Sequence, residues 1–413
     1  MSGIDYAAAA PSEPRTQAPL TSPAFRWFFT ARLVSLLGSA MTPVALAFAI
    51  LAASGSARDL SLVLTAHTVP LVAFVILGGA LADRFRRDVI LRTANLGAAL
   101  TQGAVAYLLI SGHYQLTAII ALEFVNGVFE AFTTPALRGV VPDLVPRTAI
   151  QKANSLLSST RSATRIIGPS IAGLLVATVG GGWAIAVDAL TFLVAALCMS
   201  RLALPGRPAG SSGSLLTGMR EGWTYFRSLS WVRSIVVAFT LMNAIQVGIW
   251  SVLGPSIARA TFGEASWGFV LGLKALGLTL MGLVMYRLTI RRLLTAGQLA
   301  IALTAIPLIV LGLDAGVGWL AATAFLAGVG SAVFGVAWDS SLQEHIPRDL
   351  LSRVASFDDF GSYVAIPIGQ LAVVPLAAVA GEHQVALIGG ILYLVLALAP
   401  LAVPAVRRLT HPV

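Results

Sequence analysis

The chain is predicted to be an all-α polytopic membrane protein with about twelve transmembrane helices. Three observations predict it. Of the 413 residues, 57% are hydrophobic and only 11% are charged, whereas a soluble domain carries about 25% charged residues. Apolar stretches recur from end to end at the length of roughly 20 residues that one helical crossing needs. The arginines between those stretches fall almost all on one side. A membrane barrel would instead show strands of about 10 residues with alternating polarity, a pattern this chain lacks.

Residues 1–24, with Pro11, Pro14, Pro19 and Pro23, read as a disordered cytoplasmic tail without the basic-then-apolar order of a cleaved signal peptide. Spans are then expected near 25–52, 60–82, 89–111, 116–138, 153–179, 183–204, 232–258, 265–287, 296–314, 317–343, 353–380 and 384–406. Apolar all round, they are assigned by length and hydropathy rather than by amphipathic period. With a cytoplasmic amino terminus, the odd-numbered loops hold only Arg58 and Arg259. The even-numbered loops and the tails hold, among others, Arg84, Arg86, Arg87, Arg138, Arg147, Lys152, Arg207, Arg291, Arg407 and Arg408. Such asymmetry places both termini in the cytoplasm. The net charge of +9 therefore reports topology, and no nucleic-acid partner is expected.

The two halves repeat. Val145-Pro-Arg answers Ile346-Pro-Arg, so Pro146 maps onto Pro347 with a shift of 347 − 146 = 201 residues. The same shift takes Gly127 onto Gly328, Ala131 onto Ala332 and Gly168 onto Gly369. A constant shift near half the length predicts two parallel six-helix bundles related by an axis along the membrane normal. The expected divisions are 25–204 and 232–406, joined by a cytoplasmic linker over 205–231 and followed by a tail over 407–413. Pro205 to Ser214 has linker composition. Leu215, Met219, Trp223 and Phe226 then recur at helical spacing, as in a helix lying in the interface; an ordinary solvated connector is the alternative.

After the second apolar stretch comes Gly78-Gly-Ala-Leu-Ala-Asp-Arg-Phe-Arg-Arg-Asp88, small residues for close helix approach followed by an acid–base cluster. Gly79, Leu81, Ala82, Asp83, Arg84 and Arg87 match the signature loop of the major facilitator superfamily, which the segment resembles. Arg86 replaces its second glycine, and Asp88 stands where a second base is usual. In the fifth span, Gly168-Pro169-Ser-Ile-Ala172-Gly173 resembles that superfamily's antiporter motif, with Ala172 in place of a glycine. Pro169 removes one helix hydrogen bond beside small neighbours, which serves a conformational role or a purely structural kink. The layout from residue 25 onward is similar to the drug-exporter branch that includes macrolide and siderophore efflux proteins, through Gln151-Lys-Ala-Asn154, Val187-Asp-Ala-Leu-Thr-Phe192 and Glu221-Gly-Trp223. The resemblance implies a secondary exporter with a cytoplasmic gate at Asp83, Arg84 and Arg87. Two family positions depart: Glu123 stands where an arginine is frequent, and Ser39 follows Gly38 where an acid is usual.

Charges retained within spans are costly and usually functional. Glu123, Asn126 and Glu130 share one face of the fourth span, and Arg161 and Arg165 share one face of the fifth. Counted back from the loop between them, Glu130 and Arg161 lie at matching depths. Glu130–Arg161 and Glu123–Arg165 are therefore expected to form ion pairs, either exchanging during transport or fixing helix packing. Lys274 lines a cavity or snorkels; Asp188 partners it or anchors the sixth span. Asn243, Gln246 and Trp250 form a stripe on the seventh span, suited to an amphipathic ligand or to interhelical hydrogen bonds.

These readings predict a proton-coupled exporter of small amphipathic molecules in the bacterial inner membrane, monomeric, surrounded by lipid and working by alternating access. Uptake or flipping of a nutrient or lipid by the same fold is the alternative. No Gly-x-x-x-x-Gly-Lys-Ser/Thr phosphate loop is present, and the histidines and Cys198 are scattered at no metal-ligand spacing. No enzyme, metal or cofactor is therefore expected.

Overall fold

A computed structural model describes residues 19–82, 86–138, 140–146, 149–202, 223–285, 288 and 290–409. Its long helices are α1 Pro23–Ser54, α2 Ala57–Ala82, α3 Arg87–Ile110, α4 Leu116–Arg138, α5 Ile150–Val179 and α6 Gly181–Met199. They continue as α7 Ser230–Thr261, α8 Glu264–Met285 and α9 Leu293–Gly312, then α10 Val317–His345, α11 Arg348–Ala380 and α12 Glu382–Leu398. Among the described residues, 11 helices are long and apolar enough to cross a membrane. Most helix bounds fall within about five residues of the expected spans, but α12 ends at Leu398, short of the expected 406.

α1 packs on α5 and α6, α3 on α4 and α6, and α2 on α4. α7 packs on α11 and α12, α10 on α8 and α9, and α9 on α12. These contacts build two bundles, which meet where α5 lies on α8 and α2 on α11. Close approach is made by small residues, the means available when lipid removes any hydrophobic drive between helices.

The internal repeat is visible in that packing. A side chain at Gly127 would strike the His67 carbonyl, and one at Gly328 would strike the Lys274 carbonyl. α4 therefore crosses α2 as α10 crosses α8. Gly168 likewise rests on Ala40 of α1, and Gly369 on Ala244 of α7. The shift of 201 also relates two turn glycines, Gly180 at φ +92 and Gly381 at φ +87, where a side chain would be strained.

Among the described residues, several contacts between the bundles lie at the end holding these turns. Arg259 donates to the Leu51 carbonyl, and Ser61 donates to the Gln370 carbonyl across α2 and α11. Gly173 packs on Ala265 and Gly268, and the Pro169 carbonyl meets Gly268. The Gly168–Gly173 segment thus touches α1 through Gly168 and α8 through Pro169 and Gly173.

At the opposite end, Arg86 bonds Asp88 at 2.9 Å, giving the departure at Asp88 its local partner. Arg87 pairs with Asp143 at 3.3 Å, on the short helix Val141–Leu144 between α4 and α5. Asp83, Arg84 and the surroundings of Gly79 lie outside the described residues, as does the segment 203–222 with most of the expected linker. Residues 223–228 are helical, and Trp223 there sits 5.2 Å from Phe357 of α11 between ring centroids.

Candidate functional site

Three ionisable groups of the first bundle meet within its spans. His67 is the eleventh residue of α2, while Glu123 is the eighth and Glu130 the fifteenth of α4. Both helices start from the glycine-turn end, so the imidazole falls between the two carboxylates in depth. His67 Nε2 lies 3.0 Å from Glu130 Oε2. His67 Nδ1 lies 3.3 Å from Glu123 Oε2, close enough for attraction but without hydrogen-bond alignment. Gln102 of α3 donates to Glu123 Oε1 at 3.0 Å. The two acids differ in access: Glu123 is 1% exposed and Glu130 is 56% exposed.

The expected partners of these acids were Arg161 and Arg165, and the structure corrects that pairing. Among the described residues neither arginine makes a salt bridge to Glu123 or Glu130; both acids engage His67. The reason is packing order. α4 lies on α2 and α3, whereas α5 lies on α1 and α8, so α4 and α5 do not pack on each other although a loop joins them. Arg161 and Arg165 are exposed. Arg161 is within electrostatic reach of Arg32 on α1, and Arg165 of Tyr363 on α11. Arg32 is also within reach of Glu130.

His67 and Arg32 were not foreseen. Both are ionisable residues inside predicted spans, the signal that flagged the acids.

Asp188 does not meet Lys274. Its Oδ2 accepts from Thr42 of α1 at 2.7 Å, and its Oδ1 is buried without a hydrogen-bond partner. It stays inside the first bundle, within electrostatic reach of Glu123 and Glu130. Lys274 makes no salt bridge among the described residues; half-buried, its ammonium sits 4.9 Å above the Trp250 ring. Trp250 lies on the π-helical segment Gly248–Leu253 within α7, its indole N–H buried and unpartnered. Asn243 takes the interhelical option, donating to the Ser362 carbonyl of α11 at 3.3 Å. Gln246 is half-buried, and Asn126 is buried beside Gly127.

The imidazole thus stands between one buried and one exposed carboxylate. Among the described residues there is no cluster of His, Cys, Asp and Glu fit to hold a metal ion.

Comparison with known proteins agrees with this helical architecture. Residues 15–317 match the family model described as transmembrane secretion effector. The chain is 29% identical over 400 residues to the multidrug efflux pump Tap of Mycolicibacterium fortuitum, covering 92% of this chain and 95% of that protein. It is 26% identical over 241 residues to macrolide efflux protein A of Streptococcus pyogenes, covering 58% and 59%. Among solved structures, the nucleoside transporter NupG superposes with a TM-score of 0.71 at 12% identity, over 92% of this chain and 98% of that one. A bacterial homologue of the iron transporter ferroportin, in an inward-facing state, superposes at 0.68 and 16% identity over 92% and 100%.

Proposed function

The chain belongs to the transmembrane secretion effector family of the major facilitator superfamily, and from that premise we propose that it exports small amphipathic molecules in exchange for protons. Relatives named for multidrug and macrolide efflux support the export direction and the cargo class. The α2 helix, added to the eleven apolar spans, makes twelve crossings with both termini on the arginine-rich, cytoplasmic side. The lobes at 25–204 and 232–406 rock about the contacts of α5 with α8 and α2 with α11, as one monomer in the bacterial inner membrane. Asp83, Arg84 and Arg87 act as the cytoplasmic gate, and Gly79, Gly168 and Pro169 accommodate the helix movement. Arg161, Arg165 and Lys274 line or border the pathway.

The observation that carries proton coupling is the Glu123–His67–Glu130 contact. Carboxylates retained at mid-span are too costly to be incidental, and an acid in electrostatic contact with a titratable base changes protonation when its access to water changes. The electrical part of the gradient supplies roughly 2.3 kcal/mol per charge per 100 mV.

Expression in an efflux-deficient bacterial host tests the reading. Cells should accumulate less ethidium or erythromycin than control cells, and an uncoupler should remove the difference. Glu130→Gln, at equal expression, should accumulate as control cells do. Efflux that survives both the uncoupler and Glu130→Gln defeats the coupling. Higher accumulation than in control cells would instead indicate uptake.

A further inference from the structure

Glu123 and Glu130 stand seven residues apart on α4, about 10 Å of helix rise. That is too far for a direct proton jump. One is sealed and the other open, so protons can reach Glu123 only through an intermediary. The ring of His67 touches both, one nitrogen to each acid, and an imidazole accepts a proton at one nitrogen while releasing one from the other. We propose that His67 relays protons between Glu130 and Glu123, making Glu123 the internal proton store of the transport cycle; this rests on the proton-coupled reading above.

The step balances without an added reagent. Water protonates Glu130. Its Oε2 proton passes to Nε2 of a neutral His67 ring whose own proton is on Nδ1, and that Nδ1 proton moves to Glu123 Oε2. Glu130 is left as carboxylate, Glu123 as acid, and the ring neutral with its proton on Nε2. Release runs the same route backwards. Loading and unloading therefore use one path, and the side of the membrane is chosen by which way Glu130 is open.

The surroundings fit a relay better than a clamp. Gln102 holds Glu123 by Oε1 and leaves Oε2 toward the ring. Gly127 lets the α4 backbone touch the His67 carbonyl, which sets the imidazole in register with the acids above and below. The Nδ1 contact is unaligned in this state, so a small ring rotation makes or breaks the link to Glu123. The facing charges are Arg32 from α1 and Arg161 and Arg165 from α5, with Tyr363 of α11 beside Arg165; Asp188 of α6 adds a third acid within reach. Arg32 lies within electrostatic reach of Glu130, and Asp188 within reach of both acids.

Purified protein in phosphatidylethanolamine–phosphatidylglycerol vesicles provides the test. Ethidium transport driven by an imposed pH gradient should fall at least tenfold in His67→Gln and in Glu123→Gln, while gradient-free ethidium counterflow stays within about twofold of wild type. Wild-type gradient-driven transport in His67→Gln overturns the relay and leaves coupling intact. A wild-type protein that exchanges ethidium yet ignores the gradient removes the coupling, and the relay with it. A measurement free of cargo uses ¹⁵N-histidine-labelled protein, with the His67 ring signals identified by their loss in His67→Gln. The relay requires Glu123→Gln to perturb Nδ1 and Glu130→Gln to perturb Nε2; ring signals that ignore both substitutions overturn it.

Discussion

His67 and Lys274 hold corresponding places in the two bundles, and they meet different surroundings. Each offers its carbonyl to a glycine of the crossing helix, Gly127 in one bundle and Gly328 in the other. In the first bundle the crossing helix carries Glu123 and Glu130 on either side of that glycine. The shift of 201 residues puts Ala324 and Ser331 there in the second. His67 consequently meets two acids, whereas Lys274 meets the face of Trp250. A shared backbone scaffold thus carries a histidine–carboxylate cluster in the first bundle and, among the described residues, none at the matching place in the second. The second bundle keeps the crossing and fills it with aromatic and aliphatic side chains, including Trp250 against Trp267 at 4.9 Å.

The sharpest way to break this comparison is at the shared glycines. Gly127→Leu and Gly328→Leu should each abolish the monodisperse peak of detergent-solubilised protein in size-exclusion chromatography, because the atoms in the way are backbone. Overpacking costs about 1–3 kcal/mol even where side chains yield. Gly282→Leu, at a site with open space around it, should leave the peak unchanged. If only one of the two crossing glycines proves sensitive, the crossings are not mechanically equivalent.

Next in size is Glu123→Leu. It strands the Gln102 amide in a sealed site without its acceptor, at a cost of about 1–3 kcal/mol, and should lower the melting temperature clearly more than Glu123→Gln. Lys274→Met sharpens the contrast. It gives up a cation–π contact of about 2 kcal/mol but also relieves a half-buried ammonium of its desolvation, which no carboxylate among the described residues offsets. The melting temperature should be unchanged or higher; a marked fall would reveal a counter-charge for Lys274.

The smallest effect is expected at the turn before α4, outside the membrane-spanning segments. Tyr114 donates to Asp59 Oδ2 at 2.8 Å. Burial first, and then the bond to Asp59, push its phenol up to about 12. The raised value means that its contribution is complete below the ordinary tyrosine value of about 10 and is lost as pH climbs through about 12. Tyr114→Phe should lower the melting temperature slightly at pH 8, and the gap to wild type should close in strongly alkaline buffer.

Much of this architecture was legible in the residues. Span limits followed from hydropathy, and the constant shift anticipated that Gly127 and Gly328, or Gly168 and Gly369, would do the same packing work. The presence of costly acids at Glu123 and Glu130 was equally plain. Their partners were not, because depth was compared only between α4 and α5, helices joined by a loop. Depth measured from the glycine turns along α2 places His67 between the two acids, but nothing local says that α2 rather than α5 lies against α4.

Composition, periodic apolar length and the internal shift by themselves determined a helical membrane protein built twice over, since lipid punishes every exposed polar group and rewards each span independently. Which charges touch was decided only by tertiary structure. Pairing across a bundle depends on helix order and rotation, and those are set by the fit of small residues at crossings such as Gly127 on His67 and Gly268 on Pro169, not by neighbours along the chain.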